Sequence, residues 1–161
     1  MIPLYDTLHS RRFPIVNWLL IALNLFVFLY EISLSPSGLD KLTRTWGLVP
    51  LQLMAHPAAV WVTIFTAMFL HGGWFHILSN MWVLFIFGDN IEDRLGGGRY
   101  LIFYLLSGVA AGLLESYVLP GSNVPMIGAS GAIAGVLGAY LVLYPRARIA
   151  SLVPILFIFT I

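Results

Sequence analysis

Serine, histidine and asparagine occur in this sequence at spacings that suit acyl transfer. Gly128-Ala129-Ser130-Gly131 places a serine at the head of an uncharged run that continues to Tyr144. At a helix start the first backbone N–H groups lack intrahelical partners and carry the positive end of the helix dipole. Such a position suits a hydroxyl that becomes an acyl ester beside an oxyanion. His76 and Asn80, four residues apart, fall one above the other on a single helical face. An imidazole can take a proton from a serine or donate to an oxyanion, and a carboxamide can donate. The same three residue types also suit a buried hydrogen-bond network that only joins helices, and serine is a favoured helix-start residue. By themselves these residues leave both readings open.

The elements that must position them are membrane helices. Of the 161 residues, 60% are hydrophobic and 9% charged, against about 25% charged in soluble domains. The chain reads as an all-α polytopic integral membrane protein. It has no cysteine, so neither a disulfide framework nor a thiolate metal site is available. A first span is expected over residues 14–34, too long for a signal peptide. Along it Asn17, Asn24 and Glu31 recur every seven residues on one face, which should turn toward protein rather than lipid. Residues 35–73 read as a long outer loop lying on the membrane, with Trp61 to Leu70 as a part-buried segment. The apolar stretch from Ala58 to Gly88 would be about 46 Å long as one helix, well beyond a roughly 30 Å hydrocarbon core. His71-Gly72-Gly73 is the expected break, followed by a second span over 74–88.

Asp89 to Arg99 reads as a short charged loop turning at Gly96-Gly97-Gly98. The third span is expected over 100–119, with a small-residue face at Ser107, Gly108, Ala111 and Gly112, and the fourth over 128–144, with Gly131, Ala134, Gly135 and Gly138. The apolar run 149–161 would reach only about 20 Å as a helix and reads as a fifth span cut short. The expected architecture is thus one domain over 1–161, with four full spans and a partial fifth. Six cations, Arg11, Arg12, Arg94, Arg99, Arg146 and Arg148, fall on one side, and two, Lys41 and Arg44, on the other. That asymmetry places the N-terminus in the cytoplasm. The second and fourth spans then both enter from outside, so His76, Asn80 and Ser130 share a depth near the outer leaflet. The cations are scattered in pairs and form no stripe for nucleic acid.

His71-Gly72-Gly73-Trp74-Phe75-His76 with Asn80, followed by Gly128-Ala129-Ser130-Gly131-Ala132, resembles the rhomboid intramembrane serine proteases. The resemblance runs from about Trp61 to Arg148. It implies a six-helix bundle whose site opens to the outer side through a water-filled cavity. It also implies Ser130 as nucleophile, in the motif that Gly128 and Gly131 flank, and His76 and Asn80 as oxyanion donors beside the Ser130 N–H. His71 would be structural, and Glu92 and Arg94 would hold the bundle together at the cytoplasmic end of the second span. In two places the sequence departs from the family. The family's general base is a histidine on the sixth span, and no histidine follows Ser130 here, so this 161-residue chain is expected to be inactive or nearly so. Val62 follows Trp61 where many members carry arginine, which leaves open how the outer loop is held.

The implied reaction is cleavage of membrane-spanning segments of other proteins near the outer face, with transmembrane proteins and the bilayer as partners and no cofactor. A bacterial-type inner membrane is the expected location. The alternative is a rhomboid-like pseudoprotease that binds membrane helices without cutting. A soluble hydrolase elbow is excluded by Ala132, where G-x-S-x-G needs glycine. A metalloprotease H-E-x-x-H is excluded by Gly72 after His71, and no metal site is expected. A channel is disfavoured because the polar residues gather at one depth and not along a path.

Overall fold

A computed structural model describes residues 2–8, 10–155 and 158–160. Helix dominates, as the apolar runs require. α1 (Ile15–Ser33) and α7 (Gly97–Val118) are each long and apolar enough to cross a bilayer. A third candidate is a bent pair, in which the segment Thr63–Phe69 meets α6 (Trp74–Leu95) at 94° across the His71-Gly72-Gly73 break. α8 (Ser130–Leu143) is apolar but has 14 residues, about 21 Å and so shorter than the hydrocarbon core. By length, two or three spans stand where four full ones were expected. Large side chains are exposed around the bundle, Phe26 at 71%, Phe75 at 87% and Val142 at 78% among them, a surface that suits lipid and not water.

The polar face of α1 turns inward as its spacing requires, with Asn17, Asn24 and Glu31 all buried. Tyr100 donates to the Asn17 carboxamide at 2.7 Å, and Asn17 donates to the Leu84 carbonyl at 3.1 Å. Small residues set the crossing of α7 and α8. A Cβ added at Gly131 would lie 2.6 Å from that of Ala111, and one at Gly135 would overlap Ser107, so the backbones approach as only glycine permits.

Four expectations need correction. The charged run after residue 88 is not a loop: α6 continues to Leu95 and stops at Gly96, whose φ of +80° suits glycine, and Gly97 and Gly98 already belong to α7. The outer loop is largely helical, with α2 (Pro36–Trp46), α3 (Pro50–Ala55), α4 (Pro57–Val60), α5 (Thr63–Thr66) and a 3₁₀ turn at Ala67–Phe69. The prolines read as interruptions are the first residues of α2, α3 and α4, where a missing N–H costs nothing. Arg94 is exposed and only Glu92 joins the bundle, its carboxylate accepting from the Val16 and Asn17 N–H groups at 3.0 and 2.7 Å. Finally, residues 149–155 are not helical. They form β2 (Ile149–Ile155), antiparallel to β1 (Ile2–Asp6) with Ile2 opposite Leu152, and β3 (Ile158–Thr160) follows. Ile149, Val153 and Ile155 favour extended backbone, and Pro154 opposes a helix. The rest of the expected fifth span, residues 156, 157 and 161, lies outside the described residues.

Candidate active site

α6 begins directly after the glycine pair, so His76 sits in its first turn and Asn80 one turn further along the same face. The break is held from α1: both carboxylate oxygens of Glu31 accept from the His71 N–H at 3.1 Å. His71 is buried, its Nδ1 lies 3.3 Å from the Phe69 carbonyl, and its ring packs edge-on against His76 at 5.0 Å between centroids. His71 thus belongs to the hairpin.

The Gly72 N–H reaches His76 Nδ1 at a long 3.4 Å. With Nδ1 accepting, the ring proton is assigned to Nε2. That nitrogen faces Gly128, where an added Cβ would lie 2.6 Å from Nε2 and 2.7 Å from Cε1. Gly128 also has φ +121°, a region side chains rarely adopt, so the position needs glycine for its backbone and for the imidazole against it. The backbone of Gly128 is fixed on the other side by its N–H donating to the Ala67 carbonyl at 2.8 Å. Two residues on, Ser130 opens α8 with no side-chain cap, so the first-turn amides are uncapped next to its hydroxyl.

Asn80 is 7% exposed, and its Nδ2 has no acceptor among the described residues. A buried carboxamide donor without a partner costs about 1–3 kcal/mol, and it lies on the helix face that carries His76 toward Gly128. Beside Ser130 a cavity of about 70 Å³ is lined by Met68, Ala111, Glu115, Met126, Ser130 and Gly131, room for about two waters. Gly131 itself serves the α7 crossing.

The structure therefore brings His76 to the turn two residues before Ser130. The hydrogen bond of His76 runs to Gly72 and not to the serine, so no serine–histidine pair is formed between them. Sequence reasoning missed the contacts that tie the outer loop to this turn. Leu48 and Met126 exchange backbone hydrogen bonds of 3.0 and 2.8 Å, and the Leu51 N–H donates to Ser122 O at 3.0 Å. These backbone bonds fix the loop against the stretch before Ser130. Pairing across so many residues leaves no periodic signal. The role of Glu31 was half visible, since its spacing marked it as inward-facing but not what it would grip.

Comparison with known proteins places the chain in a family. A profile of the rhomboid domain matches residues 58–161. The chain is 36% identical over 129 residues to the rhomboid protease GluP of Bacillus subtilis (strain 168), covering 80% of this chain and 24% of that protein. It is 38% identical over 96 residues to rhomboid-like protein 11, chloroplastic, of Arabidopsis thaliana, covering 60% and 34% respectively. Rhomboid protein 1, mitochondrial, of Saccharomyces cerevisiae (strain ATCC 204508 / S288c) is 28% identical over 144 residues, covering 86% and 40%. The chain thus spans between 24% and 40% of the length of these relatives. Relatives named for chloroplast and mitochondrion stand beside bacterial ones, so the expected bacterial-type inner membrane gains no support.

Proposed function

This chain belongs to the rhomboid family, the family's domain profile covering residues 58–161, and from that premise we propose that it acts as an intramembrane serine endopeptidase on membrane-spanning segments of other proteins. The observation that carries the reading is the imidazole of His76 seated against Gly128, with the unpaired Asn80 amide one turn along the same face. In this reading Ser130 Oγ attacks a peptide carbonyl. In the same reading the developing oxyanion accepts hydrogen bonds from His76 Nε2, Asn80 Nδ2 and the Ser130 N–H. Collapse expels the amine and leaves an acyl ester on Ser130, which water then hydrolyses.

The serine proton needs a base. His76 with its proton on Nε2 is committed as a donor, and residues 77–161 contain no histidine. Family resemblance assigns the base to a histidine on a sixth span, and catalysis on this reading depends on it. A substrate helix keeps its carbonyls in its own hydrogen bonds, so it must unwind locally before Ser130 can attack. The arginine asymmetry supports a cytoplasmic N-terminus, with α8 starting within the bilayer below the outer face.

The test is cleavage, by the full-length gene product in vesicles, of a reporter whose span carries helix-weakening residues. Cleavage that disappears in Ser130→Ala is expected. Undiminished cleavage by Ser130→Ala would remove Ser130 from the mechanism. Capture of the reporter without cleavage by both proteins would favour the pseudoprotease.

A further inference from the structure

Away from Ser130, at the end of α6, two cavities adjoin. One, of about 590 Å³, is lined by Arg11, Arg12, Arg94 and Asp93 together with apolar groups. The other, of about 490 Å³, is lined by Arg146, Leu143 and Pro145, and Leu8 and Tyr144 line both. Four guanidinium groups thus share this hollow with one carboxylate. Among the described residues the ion pair is Arg44 with Asp40, far along the chain, so no carboxylate neutralises these four at close range. All four arginines are exposed and already solvated, and an anion held among them gains from their combined positive potential. Guanidinium, planar and carrying several donors, is the side chain best matched to a phosphate group.

The rest of the lining decides the source of that phosphate. Leu8, Leu143, Pro145 and the Tyr144 ring give the hollow an apolar wall. It continues into the exposed aliphatic surface of α8 at Val142 and Leu141, 78% and 66% exposed. A free ion has no use for such a wall, whereas acyl chains do. We propose that this hollow binds an anionic phospholipid, its phosphate held by Arg11, Arg12 and Arg94 and its chains laid along Leu143 and α8. Arg146 sits at the rim. The site is independent of the catalytic reading.

The experiment compares spin-labelled phosphatidylglycerol with spin-labelled phosphatidylcholine for association with the protein in phosphatidylcholine nanodiscs. A preference for phosphatidylglycerol is expected. It should fall about fivefold for each of Arg11→Gln, Arg12→Gln and Arg94→Gln taken singly, and disappear in the triple variant. Arg99→Gln, at the same end of the bundle but outside both cavities, should leave it unchanged. A preference that survives the triple variant, or that falls equally in Arg99→Gln, overturns the site. Displacement of the label by millimolar inorganic phosphate alone would make the ligand a free anion and also overturn it. Because the single variants remove exposed side chains, their unfolding temperatures in phosphatidylcholine should match the parent.

Discussion

The two ends of α6 handle buried polar groups in opposite ways. At the Leu95 end they are paired: Glu92 takes two N–H groups of α1, Tyr100 donates to Asn17, and both Tyr140 and Asn90 donate to Asp6 Oδ2 at 2.6 and 3.0 Å. At the Trp74 end Asn80 Nδ2 and His71 Nε2 are buried without partners, and Gly128 holds a positive φ against an imidazole. The other two orphaned polar atoms among the described residues, Asn24 Oδ1 and the Tyr104 hydroxyl, lie midway. Satisfied polar networks rigidify, whereas unpaired donors cost stability and persist where something else requires them. One helix therefore carries a fastening at one end and, at the other, buried polar atoms left unpaired: the Asn80 amide as a donor and His71 Nε2, whose Nδ1 faces the Phe69 carbonyl, as an acceptor.

The comparison breaks if substitutions at the fastened end do not dominate stability. Glu92→Ala should have the largest effect, about 3 kcal/mol, because it leaves one buried and one part-buried N–H group of α1 without an acceptor. Reversible unfolding in detergent reads it, and a loss below about 1 kcal/mol would mean water or a neighbour takes over. Gly135→Leu comes next, at about 2–3 kcal/mol, since any Cβ there meets Ser107 and must part α7 from α8. Leu141→Ala, at a 66% exposed site, is its near-neutral control. Gly128→Ala should cost about 1–2 kcal/mol through its backbone conformation, and it should remove reporter cleavage altogether by pushing the His76 ring away. Glu31→Gln keeps an acceptor for the His71 N–H and should cost less than about 1 kcal/mol. A larger loss would show that the charge itself holds the hairpin.

How much of this could be read in advance follows from range along the chain. The inward face of Asn17, Asn24 and Glu31 was legible because helical period alone puts them together, and the His71-Gly72-Gly73 break was legible because no bilayer accommodates the unbroken run. Placement of Ser130 at a helix start also needed only local pattern. The extension of α6 was hidden because Asp89, Asp93 and Arg94 look like a loop until one sees Asn90 and Glu92 on the protein face of the same helix. The outer-loop helices were hidden because proline signals both an interruption and a helix start. Pairing of β1 with β2 joins Ile2 to Leu152 across nearly the whole chain, and no local periodicity foreshadows it. The approach of His76 to Gly128 was expected only as equal depth; the imidazole against the glycine is a tertiary contact that spacing alone could not supply.

The most direct test of the contrast is Asn80→Ala, measured for unfolding temperature and for labelling of Ser130 by a serine-directed phosphonate in the full-length gene product. Because the amide it removes is buried without a partner, the variant should unfold at or above the parent's temperature. Labelling at Ser130 should fall by at least about tenfold, in line with the loss of one oxyanion donor. An unfolding temperature several degrees lower together with undiminished labelling would contradict the account, making Asn80 a structural strut like Glu92 and leaving no prepared donor at the serine end.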